Sequence, residues 1–154
     1  MKTLLTCLLL VCLFSIGSSY TLQGAWKLTI DESYSEISPQ TEVIFNFEKS
    51  VEEGQIVNRL TVYACAVATF TYTLNNENIN FSYERTLATR KECRTNEIGE
   101  IRRKMDKVYY TVTIANNILF VSPSGSSVFK LKKVSENEMP DSLAGVWRAT
   151  EAQK

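Results

Sequence analysis

The chain has 154 residues, with 17 lysines and arginines balanced by 17 aspartates and glutamates, and it contains no histidine. A near-neutral chain lacks the clustered positive surface that binds phosphate backbones, so its composition argues against a nucleic-acid partner. Without histidine, a catalytic thiol lacks its usual activating partner, and no metal-spaced set of Cys and His residues exists. We therefore expect no cofactor and no metal.

Residues 1–19 have the pattern of a secretory signal. Lys2 precedes an apolar run from Leu4 to Ile16, and small residues follow it, with cleavage expected after Gly17 or Ser19. The run is shorter than the roughly 20 apolar residues that span a bilayer. We expect a secreted, extracellular protein, periplasmic or cell-surface in a bacterium, without a transmembrane segment.

Two cysteines, Cys65 and Cys93, follow the signal sequence. In an oxidising compartment an isolated pair most simply forms one disulfide, and two free thiols are the alternative. Closing this loop stabilises a fold by roughly 3–4 kcal/mol in the chain-entropy model.

From residue 25 onward the pattern predicts short strands separated by turns. "AWKLTI" precedes a polar loop, and "TEVIFNF" alternates its apolar residues onto one face. The tract "QIVNRLTVYACAVATFTYTL" predicts two strands or one strongly bent strand, and "INFSY" another strand. "NNEN", residues 75–78, predicts a turn because asparagine tolerates positive φ.

Beyond Cys93, Ile98, Ile101 and Met105 recur at helical spacing, although Gly99 weakens that prediction. "VYYTVTI" and "ILFV" predict a hairpin with a turn at Asn116-Asn117. "VFKLKKV" alternates imperfectly, which favours an edge or rim strand. The fold class predicted is mainly β (α+β): a small antiparallel, strongly curved or barrel-like sheet of about eight strands with one short helix.

The C-terminal "LAGVWRAT" repeats the spacing of the N-terminal "LQGAWKLT", so that Trp147 matches Trp26. Such a repeat indicates either the first strand of a second domain copy or a closing strand beside the first, and chance similarity is the alternative. We divide the chain into the signal 1–19, one domain over 20–135 and a tail over 136–154.

The order "LQGAWKLT", "TEVIFNF", "CAVATFTYTL…INF" and "LATRKEC" resembles the META domain family, which includes bacterial heat-inducible HslJ-like proteins and protist META proteins. The family opens with L-x-G-x-W, and its first cysteine segment lies seven residues before a strand tyrosine, as Cys65 does before Tyr72. The segment "LATRKEC", which ends at Cys93, occupies the position of the family's second cysteine segment. The resemblance covers about residues 22 to 134.

The resemblance supports a Cys65–Cys93 disulfide. It implies a non-enzymatic module linked to stress tolerance, secretion or virulence, with no catalytic residues to carry over. The chain agrees, because it has no nucleophile-elbow sequence and no phosphate-binding glycine loop. The function predicted is a stress-protective or extracellular interaction module that binds a protein partner as a monomer.

The alternative function is a lipocalin-like carrier of a small apolar ligand. "GAW" at Gly24–Trp26 resembles the Gly-x-Trp of lipocalins, and a small barrel can hold one apolar ligand. The ligand-lining residues predicted are Phe45, Phe47, Phe70, Tyr72, Phe81 and Tyr83. A core filled by these side chains is the competing interpretation. Asn80, in Asn80-Phe81-Ser82, is a predicted N-glycosylation site.

Overall fold

The computed structural model describes residues 21–89, 96–106, 109–114, 117–125, 127–134 and 148–149. Within these ranges the chain forms strands and one helix, in the order β1 (Gly24–Leu28), β2 (Ile44–Glu52), β3 (Gln55–Tyr63), β4 (Ala66–Asn75), β5 (Asn78–Thr89), α1 (Glu97–Met105), β6 (Tyr109–Ile114), β7 (Asn117–Val121), β8 (Ser127–Lys133) and β9 (Arg148–Ala149).

The first eight strands form a closed antiparallel barrel. Each pairs with the strand that follows it in the chain, and β8 returns to pair with β1. The ninth strand, β9, lies outside the barrel and pairs with β5. Closure removes the exposed edges that an open sheet would leave. The predicted barrel-like sheet of about eight strands with one short helix is confirmed.

Local sequence explains the hairpins. The turn between β2 and β3 holds Glu53 and Gly54 at φ values of 51° and 79°, which suits a two-residue loop with two positive φ angles. Asn76 has φ 55° in the turn between β4 and β5. This confirms the turn predicted at "NNEN" and also its stated cause, the tolerance of asparagine for positive φ. The long β-branched tract divides into β3 and β4 around Ala64 and Cys65.

The helix predicted after Cys93 is present as α1 and includes Gly99. A Cβ at this glycine would overlap the side-chain amide of Asn96, the residue before the helix. Gly99 therefore lowers helix propensity but leaves room for Asn96.

Alternating strand direction gives the barrel two different ends. The helix end carries the long β1–β2 segment (residues 29–43), the β3–β4 turn, α1 and the β7–β8 turn, whereas the hairpin end carries the turns β2–β3, β4–β5 and β6–β7. Strand β6 pairs with β5 only over Asn78–Asn80, and α1 contacts β4 and β5. The helix therefore packs beside the part of β5 that does not pair with β6.

For the last strands, one of the alternatives left open by the sequence is wrong in each case. β8 is flanked by β1 and β7, so it is not an edge strand; its alternation is imperfect because Lys133 lies opposite Trp26, on the side of Phe129 and Leu131, and packs over the Trp26 ring. The tail strand β9 pairs with β5, so it is not a closing strand beside β1. Asn116 lies outside the described residues. Among the described helices, none has the length and apolarity needed to cross a membrane.

Candidate functional site

The six residues predicted to line a ligand site come together inside the barrel. Phe45, Phe47 and Phe70 are almost completely buried, as are Tyr72 and Phe81. Tyr83 is half-buried: its ring contacts Phe70, and the guanidinium of Arg102 lies 4.1 Å from the ring centroid. Period-2 alternation places these rings on one face of three strands, and closure turns that face inward.

The central rings are in mutual contact. Ring centroids lie 5.5 Å apart for Phe47 and Tyr72, and 5.6 Å apart both for Phe81 and Phe120 and for Phe45 and Phe129. Such spacings are those of packed aromatic pairs. The rings therefore fill this section of the barrel with their own side chains.

Four further aromatic residues complete the cluster and were not among the predicted lining residues: Tyr34, Tyr110, Phe120 and Phe129. Phe120 and Phe129 follow the same period-2 alternation as the predicted lining residues, so the sequence pattern of their strands could have identified them. Tyr34 comes from the polar β1–β2 segment, where no periodicity marks it. Tyr109 is 65% exposed and Tyr110 is buried, as expected for adjacent strand residues.

Two buried glutamates of α1 hold the helix end together. Glu100 accepts hydrogen bonds from the backbone N–H groups of Ser35 at 2.9 Å and Glu36 at 2.7 Å. Glu97 accepts one from the Thr41 hydroxyl at 3.0 Å and one from the backbone N–H of Cys65 at 2.9 Å. Both carboxylates are about 5% exposed or less.

In the sequence, these two glutamates are recognisable because they recur with apolar residues at helical spacings of three and four. Glu97, Glu100 and Ile101 share the buried face of α1 with Met105. The sequence pattern assigns only the apolar residues to that face. A buried carboxylate needs donors, and these come from residues 32 to 65 positions earlier in the chain, which no local pattern shows.

Outer side chains of α1 add to this attachment. Arg103 contacts Glu36 at 2.7 Å, and Lys104 donates to the Ser33 carbonyl at 2.9 Å. The Tyr110 hydroxyl donates to the Lys104 carbonyl. The β1–β2 segment is thus tied to the helix along its length, and the two together close the helix end.

Buried tyrosines act as neutral donors in this closure. The Tyr34 hydroxyl donates to the Val128 carbonyl at 2.7 Å. Burial, with smaller contributions from Asp31 and Glu100, raises the pKa of Tyr34 well above its ordinary value of 10.0. Burial also raises the pKa of Tyr110. Both groups therefore stay protonated at neutral pH and keep their hydrogen bonds.

The hairpin end differs, because apolar side chains are exposed there. Val51 and Ile56 face each other across β2 and β3 and are each 73% exposed. Leu74 on β4 is 38% exposed. By strand alternation all three are on the inward-facing side of their strands, but they lie beyond the packed rings. We call Val51–Ile56 the β2–β3 tip.

Trp26 has a packing role at this end. Its indole N–H donates to the Leu22 carbonyl at 2.9 Å, and the Lys133 ammonium lies 4.4 Å from its ring centroid. Lys133 donates to the Gln23 carbonyl at 2.7 Å, and burial lowers its pKa. Gly24, at φ 102°, leaves room for this ammonium, since a Cβ there would lie 2.6 Å from the lysine Nζ.

Two open grooves on the outer surface are lined by described residues. One of about 610 Å³ is lined by Tyr34, Ser35, Glu36, Ile37, Ser38, Pro39 and Asn96. The other, of about 390 Å³, lies beside β1 and includes the ion pair between Lys27 and Glu42, 2.8 Å apart. Both are shallow and lined largely by the β1–β2 segment.

Other predicted site residues are placed as follows. Cys65 lies in the β3–β4 turn at the helix end, whereas Cys93 and Trp147 lie outside the described residues. The disulfide thus stays a prediction. Asn80 is partly exposed, between Thr73 of β4 and Tyr109 of β6. In the part of the chain that the structure describes, no group of three or more metal-ligating side chains converges.

Comparison with known proteins does not identify the chain, since no family model, no curated protein and no solved structure matches it. The META resemblance rests on residues of this sequence alone.

Proposed function

We propose that this chain is a secreted, non-enzymatic protein that works as an extracellular interaction module with a stress-protective role. The observation that carries the proposal is the contrast between the filled interior and the exposed β2–β3 tip. Aromatic rings occupy the middle of the barrel, and the helix end is closed by hydrogen-bonded segments. Apolar contact surface remains at Val51 and Ile56.

Large exposed apolar patches mark contact sites, and the tip presents two exposed apolar side chains directly opposite each other. The signal sequence at residues 1–19 supports secretion, and the META resemblance supports the stress-related role. The proposal needs no bond-making chemistry, because binding at the tip depends on shape and burial.

Within this proposal, Cys65 and Cys93 form a disulfide that joins the β3–β4 turn to the chain entering α1. The backbone N–H of Cys65 binds the carboxylate of Glu97, and Cys93 precedes Glu97 by only four residues. A chain of that length spans roughly 14 Å at most, which is compatible with the proposed bond. Peptide mapping without reductant tests the bond.

The experiment compares two variants in a binding assay against the extracellular fraction of the source organism. Replacing Val51 and Ile56 together with threonine removes apolar surface but keeps strand propensity. Tyr109→Thr is the matched control, because Tyr109 is also exposed but lies on another strand. We expect the double variant to lose the specific partner and the control to retain it. Loss in neither variant, or turnover of common hydrolase substrates, would contradict the proposal.

The carrier of a small apolar ligand is the second candidate. A closed eight-stranded up-and-down barrel with apolar residues at one end favours it. Native mass spectrometry after mild purification separates the candidates. A retained lipid-like mass supports the carrier, whereas the bare mass of the chain supports the interaction module.

A further inference from the structure

At the hairpin end, one edge of β3 has no partner among the described strands. Strand β3 pairs with β4 only from Arg59 to Tyr63, although β3 begins at Gln55 and β4 continues to Asn75. None of the described strands pairs with Gln55–Asn58 on that side. Alternate residues of this segment direct their backbone N–H and C=O groups away from β2, where another strand can pair with them.

This edge lacks the features by which proteins usually protect such strands. The segment Gln55–Asn58, "QIVN", contains no charge and no proline. Lysine, proline or a bulge normally prevents an exposed edge from pairing with another chain. Its neighbour across the hairpin, Val51, adds a second exposed β-branched residue directly opposite Ile56.

The edge is also complementary to itself. In an antiparallel pairing of two copies centred on Ile56, each Ile56 lies opposite its counterpart. Val51 already pairs with Ile56 within each hairpin, so four β-branched side chains form one row on one face of a four-stranded ribbon. Arg59, which follows this segment, is already paired within its own copy with Glu52 and Glu84, so a charged group borders the uncharged row.

We propose that a second copy of this chain occupies the β3 edge, forming a two-fold symmetric dimer through the two β2–β3 tips. The matching row of Val51 and Ile56 favours a second copy over an unrelated strand. Because only the tips meet, the interface is at the small end for specific complexes, and the dimer forms reversibly with concentration. In this inference the chain is a dimer and not the monomer expected from the sequence. The dimer uses the same Val51 and Ile56 tip as the proposed function, and sedimentation of the purified chain tests it apart from the binding of an extracellular partner.

The test uses sedimentation equilibrium of the whole protein over a wide concentration range, with charge-changed variants. Ile56→Lys places two positive charges face to face and should abolish the dimer, and Ile56→Glu should do the same. An equimolar mixture of the two variants should restore it as a heterodimer. Tyr109→Thr is the control and should dimerise like the unmodified chain.

Folding of the variants is checked by circular dichroism, since a side chain that is 73% exposed should tolerate the change. For Ile56→Thr we expect dimerisation weaker by at least about tenfold. The proposal is overturned by a monomer at every concentration, by a dimer that Ile56→Lys leaves intact, or by a mixture that fails to pair. A monomeric protein holding an apolar ligand or a foreign peptide at the tip would also overturn it.

Discussion

Glycine is required at position 24 both by the backbone conformation and by the side chain that packs against it. Its φ of 102° lies in a region that side chains disfavour, and the Lys133 ammonium occupies the space a Cβ would take. That ammonium lies over the Trp26 ring, so the glycine and the tryptophan of "GAW" support one arrangement. The segment that resembles a ligand-binding signature is explained by packing at the hairpin end.

Replacing Gly24 with alanine should lower the free energy of unfolding by about 1–3 kcal/mol, because φ becomes strained and Lys133 must leave its contacts. Gly54→Ala is the control: it has φ 79° with no atom within 4 Å of the added Cβ. Urea unfolding should show the larger loss for Gly24. Equal losses would mean that the lysine contact contributes nothing.

Tyr34 predicts how stability changes at alkaline pH. Its pKa is raised by burial, so the folded state keeps a proton that the unfolded chain loses above pH 10.0. Stability is therefore complete below that pH and falls above it, by up to about 1.4 kcal/mol per pH unit for this group.

The measurement is urea unfolding below and above pH 10, for the unmodified chain and for Tyr34→Phe. The variant should lose about 1 kcal/mol at neutral pH, since the hydrogen bond to Val128 is gone, but it should show a shallower alkaline decline. An unchanged decline would show that Tyr34 ionises equally in the folded and unfolded states. Tyr110, whose pKa is also raised by burial, contributes to the remaining decline.

At the scale of elements, α1 acts as a clamp on the long β1–β2 segment. Glu100 accepts hydrogen bonds from two backbone N–H groups. A glutamine at this position would keep one acceptor oxygen, but its amide NH₂ group would face the second backbone N–H, so that two donors would meet. Glu97 repeats the arrangement toward Thr41 and the Cys65 turn. A helix with a largely polar composition thereby becomes part of the closed end.

Glu100→Gln should lower the free energy of unfolding by about 1.5–3 kcal/mol, as expected for a lost hydrogen bond to a buried charged group. Hydrogen exchange at the amides of Ser35 and Glu36 should accelerate at the same time. Glu32→Gln makes the same chemical change on an exposed residue and should alter neither quantity. Unchanged exchange at Ser35 would contradict the clamp.

For the whole molecule, β5–β6 and β1–β8 are the shortest ladders of the barrel, with three residue pairs each, but two further backbone hydrogen bonds flank β1–β8 and one flanks β5–β6. β5 and β6 pair over Asn78–Asn80 only, whereas β2 and β3 pair along their full nine-residue lengths. Local opening favours regions with few backbone hydrogen bonds. The barrel should therefore open first between β5 and β6.

Native-state hydrogen exchange tests this order. Amides of β6 from Tyr109 to Thr111 should exchange at least about tenfold faster than amides at the centre of the β2–β3 ladder, near Phe47 and Leu60. Uniform exchange over all strands would show that the barrel opens only as one cooperative unit.

Local sequence was sufficient for the strands, the helix and several turns. Period-2 alternation placed Phe45, Phe47, Phe70, Tyr72 and Phe81 inside, because a strand presents alternate side chains to one face whatever its partners are. The asparagines at 75–78 predicted their turn, because positive φ is a local property.

Contacts between distant segments were decided by the tertiary structure alone. The donors to Glu97 and Glu100, the burial of Tyr34 and the central position of β8 depend on which strands meet when the barrel closes. The open β3 edge is of the same kind, since it exists only because β4 diverges beyond Arg59. Periodicity describes each strand by itself, whereas pairing and closure depend on residues that lie far apart in the chain.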